Sequence, residues 1–174
     1  MKLITIMACT GALIGCLAGG AWASGTVQIT GTITGKSCTV SPESSDFTVE
    51  MGNVSSKDFA RAGDGTRYEP FVINLEKCGG SASGVTVSFQ GNQNSLNRDL
   101  LALDGGTGYA AGMGVGIYNA DKSLIPLGEE SGLAKLTPNQ MAVKINFYAR
   151  YIADGAKVSP GNANASATFM LTYA

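Results

Sequence analysis

The stretch TVQITGTIT, residues 26–34, alternates between apolar and polar side chains. Val27, Ile29 and Ile33 fall on one side with Gly31 between them. Gln28, Thr30, Thr32 and Thr34 fall on the other. Side chains of an extended chain alternate faces with period two. Laid out as a strand, the segment therefore has one apolar edge and one wholly polar edge. Periodicity alone leaves two readings open. The strand is either the first strand of this chain's own sandwich or one made for another molecule's core.

An export signal precedes it. Lys2 supplies the charge, residues 3–17 are mostly apolar, and Ala21-Trp22-Ala23 is an A-x-A site, so cleavage is expected between Ala23 and Ser24. A rival is the box Leu13-Ile14-Gly15-Cys16, which fits lipoprotein cleavage and would leave Cys16 lipidated. The A-x-A site that follows at the usual distance favours the first reading. The mature chain, residues 24–174, is long enough for one domain with a real core.

Of the four cysteines, Cys9 and Cys16 lie in the signal. Cys38 and Cys78 remain, and an isolated pair in an exported chain reads as one disulfide. With no histidine in the chain, a zinc site would need carboxylates alone to complete the pair. The same absence excludes Ser-His-Asp and Cys-His catalytic sites and a copper–zinc dismutase-like sandwich. Net charge is −1, becoming −2 without Lys2, and no basic stripe points to nucleic acid. No apolar run of membrane-spanning length follows the signal.

Downstream, period-two alternation recurs. It appears at Phe47, Val49 and Met51; at Phe71, Ile73 and Leu75; at Val85, Val87 and Phe89; at Val143 to Tyr151; and at Ala165 to Tyr173. Shorter apolar pieces lie at Leu100 to Leu103, at Val115 and Ile117, and at Ile125 to Leu127. Turn-forming Gly, Asn and Asp separate these pieces, and 24 glycines in 174 residues suit tight turns. The pattern predicts a single all-β sandwich. Only Leu133 to Gln140 has room for a short helix.

Several further signals carry little. Gly106-x-Gly108-x-x-Ala111 matches a loose dinucleotide fingerprint but lacks its βαβ unit. Asn53-Val54-Ser55 and Asn164-Ala165-Ser166 match glycosylation sequons. Glu129-Glu130 sits in a polar turn and reads as solvated. The last alternating segment raises a difficulty. It reaches Tyr173, is apolar on one face, and no later segment is available to cover it. Such an edge invites pairing with another chain. The short stretch between residue 34 and Cys38 leaves little length for folding back across the sandwich. Exchange of a strand between molecules reconciles the surplus strand with the uncovered edge.

The mature chain resembles the chaperone–usher pilins, and more closely the minor tip-adaptor subunits of type 1 fimbriae. The matching pieces are GTVQITGTITGKSC, FTVEMGNV, PFVINLEKCG, VTVSFQG, LLAL, INFYARYIA and the tail GNANASATFMLTYA. In that tail Gly161 is fourteenth from the end and Tyr173 is penultimate. The resemblance implies an incomplete immunoglobulin-like β-sandwich lacking its last strand, with an N-terminal donor-strand extension. It divides the chain into residues 1–23 (signal), 24–36 (extension) and 37–174 (pilin domain). It implies that Val27, Ile29, Gly31 and Ile33 enter pockets of a neighbouring subunit. It assigns Gly161, Phe169, Leu171, Tyr173 and Ala174 to the acceptor groove and to chaperone binding. The implied partners are other pilus subunits, a periplasmic chaperone and an outer-membrane usher. The implied destination is the cell surface, by way of the periplasm. No cofactor, metal, nucleic acid or small-molecule substrate is expected, and no enzymatic activity. The competing reading is a single-domain surface adhesin or carbohydrate-binding module.

Overall fold

A computed structural model describes residues 38–174. The readings on the cleavage site and on Val27, Ile29, Gly31 and Ile33 lie outside the described residues.

The described chain forms two antiparallel sheets. The larger orders β1 (Thr39–Val40), β2 (Glu69–Glu76), β8 (Ala142–Ala153), β5 (Met113–Asn119) and β4 (Leu101–Ala102), and β6 (Leu124–Ile125) shares the β5 edge with β4. The smaller orders β7 (Ala134–Lys135), β3 (Gly84–Gly91) and β9 (Ala167–Tyr173). This is the expected sandwich, built mainly from the four longest alternating runs. Helix is confined, among the described residues, to one turn at Pro42–Ser45 and a 3₁₀ turn at Ser56–Asp58. No helix among them is long and apolar enough to cross a membrane.

Register explains how the two inner faces meet. Phe71 on β2 lies opposite Phe147 on β8, and their rings stack 5.5 Å apart. Phe89 reaches across from β3 and meets the Phe147 ring edge-on at 5.2 Å. Ile73, Leu75, Val85 and Val87 are completely buried around this centre. Burying each such side chain is worth roughly 1.5–3 kcal/mol, so the aromatic contact and its aliphatic collar hold the sheets together. The Cys38–Cys78 disulfide forms as expected and ties the start of β1 to the turn after β2.

Two expectations change. Residues 133–140 form no helix; Ala134–Lys135 pairs with β3 instead, at Gly84 and Val85. The alternation at Phe47, Val49 and Met51 does not become a paired strand. Val49 and Met51 still turn toward the core while Thr48 and Glu50 face solvent. The side-chain pattern of a strand is thus present without its backbone ladder.

Candidate strand-acceptor edge

The smaller sheet is satisfied on one side and open on the other. On the far side of β3, β7 pairs at Gly84 and Val85, and residues 128–131 continue the cover. Gly128 N–H donates to the Phe89 carbonyl at 2.8 Å, and Ser131 N–H to the Val87 carbonyl at 2.8 Å. Residues 87 and 89 therefore turn their backbone groups away from β9, and the alternate residues of β3 face it. On β9, the Ala174 N–H donates to the Gly84 carbonyl at 3.0 Å. By the same alternation Thr172, Met170 and Thr168 face β3, while Phe169, Leu171 and Tyr173 direct their N–H and C=O groups to the outer edge. That edge has no strand partner among the described residues.

The side chains repeat the asymmetry. Val85, Val87 and Phe89 lie opposite Tyr173, Leu171 and Phe169, respectively. The three β3 residues are buried, but the three β9 residues are only half-buried, although all three touch the main core. An apolar row one strand from the centre is sealed, and the next row outward is not. Residues 47–54 also make no backbone–backbone hydrogen bond among the described residues. Val49 and Met51 pack on the same core as Phe169 and Leu171, and Phe47 meets Phe71 at 5.9 Å. The outer edge of β9 and residues 47–54 therefore both lack a backbone ladder, and their apolar side chains share one core.

The strand predicted from the sequence is thus present, and Phe169, Leu171 and Tyr173 lie on one face of it. The Tyr173 hydroxyl donates to the Cys38 carbonyl at 3.1 Å, which places the start of the described chain beside the end of β9. Ala174 is held internally, its carbonyl accepting from the Ser83 N–H at 2.8 Å and from the Ser83 hydroxyl at 3.1 Å. Gly161 precedes β9. It passes the backbone of residues 109 and 110, where an added Cβ would come 2.5 Å from the Ala110 nitrogen. Two backbone bonds hold that crossing, Ala110 N–H to the Asn162 carbonyl and Asn162 N–H to the Gly108 carbonyl. Alternation at Phe47, Val49 and Met51 marks which side chains turn to the core and carries no signal for the absence of a backbone ladder.

Burial raises Tyr151 and Tyr173 above the ordinary tyrosine value. The Tyr151 hydroxyl donates to the Ala163 carbonyl at 2.6 Å, just upstream of β9. Among the described residues no group of three or more histidine, cysteine or acidic side chains could hold a metal.

The family described as fimbrial protein matches residues 27–174. The uncharacterized fimbrial-like protein YcbV of Escherichia coli K12 is 34% identical, covering 86% of this chain and 85% of that one. The solved structure of an antigen and type I fimbria protein of Burkholderia pseudomallei shares 34% identity at a TM-score of 0.60, covering 78% of this chain and 88% of that one. The structure of a chaperone–usher pilus that reveals the molecular basis of rod uncoiling shares 26% identity at a TM-score of 0.65, covering 87% of this chain and 96% of that one.

Two predictions follow from these contacts. Gly161→Val drives a branched side chain into the backbone of residues 109 and 110, and folded yield should collapse. Gly105→Ala, where an added Cβ meets nothing within 4 Å, should leave yield unchanged. Equal yields of the two variants would contradict the packing role. The tyrosines set an alkaline limit. An unfolded tyrosine releases its proton near pH 10, while the folded chain still holds it. Their contribution to stability is therefore complete below that value and lost as pH rises through the raised folded values. Thermal melts of Tyr173→Phe should show lower stability at neutral pH and a shallower alkaline fall; an unchanged alkaline fall would contradict the assignment.

Proposed function

The chain belongs to the fimbrial protein family, and from that premise we propose that it is a structural subunit of a chaperone–usher fimbria that polymerises by donor-strand exchange. The family is structural rather than enzymatic in kind. The observation that carries the proposal is the outer edge of β9, where Phe169, Leu171 and Tyr173 stay half-buried opposite buried partners. A strand laid there would pair with their outward backbone groups and seal their side chains.

In this reading residues 1–23 are removed after Ala23, residues 24–36 are the donor extension, and residues 37–174 are the acceptor domain. A periplasmic chaperone lends a strand to the open edge. At the outer-membrane usher, the extension of another subunit replaces it, and the fibre emerges at the cell surface. Val27, Ile29 and Ile33 supply the inserted side chains, and Gly31 lets the strand pass a shallow site. The C-terminal residue Ala174 and the groove residues Phe169, Leu171 and Tyr173 form the face that the chaperone engages. Within the fibre we place the chain as a minor tip adaptor, on the resemblance of its motifs. A place in the shaft is the second reading, favoured by the likeness to a pilus described by its rod. Antibody labelling of intact fibres separates them: tip label alone supports the adaptor, label along the length supports the shaft.

The donor assignment has a sharp test. Each inserted aliphatic side chain is worth about 1.5–3 kcal/mol before ordering costs. A slip by one residue would place Gln28, Thr30 and Thr32 against apolar surface, so register should be strict. Ile29→Asp should block fibre assembly and leave the yield of the chaperone complex unchanged. Thr30→Asp, on the opposite face, should be much milder, and a bulky residue at position 31 should impede assembly. Normal fibres from Ile29→Asp, or loss of its chaperone complex, would place this strand in the chain's own core.

A further inference from the structure

The pair Asp-Gly occurs three times in the chain, at residues 64–65, 104–105 and 154–155. Each sets a carboxyl group beside the least hindered amide nitrogen a chain can offer, because glycine has no Cβ. The fold treats the three pairs differently. The Asp64 carboxylate accepts from the Arg61 N–H at 2.7 Å, and the Asp64 carbonyl accepts from the Ala153 N–H at 2.8 Å. Gly65 is hemmed in: an added Cβ would come 3.1 Å from the Arg150 guanidinium carbon. At the third pair, one Asp154 carboxylate oxygen accepts from the Asn94 side-chain amide at 2.8 Å, and the other from the Ala156 N–H at 2.9 Å. Both carboxylates are held by donors, so neither swings freely onto the nitrogen of its glycine.

The middle pair is held by neither device. Asp104 and Gly105 are exposed, and a Cβ at Gly105 would meet nothing within 4 Å. Among the described residues the Asp104 carboxylate has no hydrogen-bond or ion-pair partner. The loop is tied at its ends. The Asp104 N–H donates to the Asn164 carbonyl at 2.8 Å, and the Ala110 N–H to the Asn162 carbonyl at 2.9 Å. Between these ties, Gly105 and Thr107 make no backbone hydrogen bond among the described residues. A free carboxyl group, an open amide nitrogen and slack chain therefore meet at one place.

We propose that Asp104–Gly105 is a self-modification site, at which the folded chain converts aspartate to isoaspartate through a cyclic succinimide. The Gly105 nitrogen attacks the Asp104 Cγ. A bond forms between them as the carboxyl hydroxyl departs, and the hydroxyl leaves as water with the amide proton. Water then adds to one of the two ring carbonyls. Opening at Cγ restores aspartate. Opening at the former main-chain carbonyl leaves the chain running through Cβ and Cγ, with a free carboxylate on Cα. One water is lost and one regained, and no oxidant or reductant is needed. The product adds one carbon to the main chain between the ties at residues 104 and 110, where the unbonded residues absorb it. The inference stands apart from the strand-exchange reading and can fail without it.

The test is incubation of the purified mature protein, folded and disulfide-bonded, in H₂¹⁸O at neutral pH. Trypsin then places the three pairs on separate peptides, and electron-transfer fragmentation distinguishes isoaspartate from aspartate. Each passage through the ring leaves one heavy oxygen. The Asp104 peptide is expected to gain ¹⁸O and isoaspartate several-fold faster than the peptides holding Asp64 and Asp154. In the reduced chain unfolded in guanidinium the three rates should converge, which separates selection by the fold from local sequence. Gly105→Ala should slow the reaction several-fold without changing folded yield. Asp104→Asn should accelerate it, releasing ammonia in place of the first water. Equal rates at the three pairs in the folded protein would overturn the proposal. So would an Asp104 peptide that stays unlabelled while the unfolded chain is labelled there.

Discussion

The outer edge of β9 is the constraint around which the domain is arranged. Backbone N–H and C=O groups must find partners, and an unladdered apolar strand leaves both its polar groups and its side chains exposed. Here the half-buried row sits directly beside the most buried row of the smaller sheet. The fold is closed enough to form a core, and open along one line where that core reaches the surface. A strand added at that line satisfies hydrogen bonds and hydrophobic burial together, which neither a loose side chain nor a helix could do.

The remaining architecture limits the consequences of that opening. The other side of β3 is covered by β7 and residues 128–131. The Phe71–Phe89–Phe147 contact joins the two sheets away from the termini, and the disulfide fixes the beginning of β1 beside the end of β2. In the chain-entropy view, closing a loop of that length restricts the unfolded ensemble by about 4 kcal/mol, which helps offset the unsealed edge. Tyr173 then connects the two regions through its bond to the Cys38 carbonyl. The start of the described chain and the end of β9 are therefore neighbours.

Much of this was legible from residue order because period-two alternation and strand burial have the same cause. β2, β3, β8 and β9 each follow from it, as does the disulfide from an isolated cysteine pair. Residues 47–54 were legible as an amphipathic segment but not as an unpaired one. Alternation reports which side chains face a core, and says nothing about where backbone partners lie. β7 is too short to carry a period at all. Gly161 was marked by resemblance, yet its physical reason, a crossing against residues 109 and 110, depends on contacts distant in sequence. Least legible is a cluster on the outer face of the larger sheet, because Tyr68, Tyr118, Lys122 and Arg150 are brought together only by the β5–β8 register and a loop.

Hydrogen exchange residue by residue along β9 tests the central claim most directly. The folded domain is compared with and without a peptide carrying a donor-type sequence such as residues 25–35. The account predicts rapid exchange at the Phe169, Leu171 and Tyr173 amides without the peptide and strong protection with it. The Met170 and Thr172 amides, which face β3, should be protected in both states. Slow exchange at all five amides before any strand is added would contradict an open edge, and so would an added peptide that protects none of the outer three.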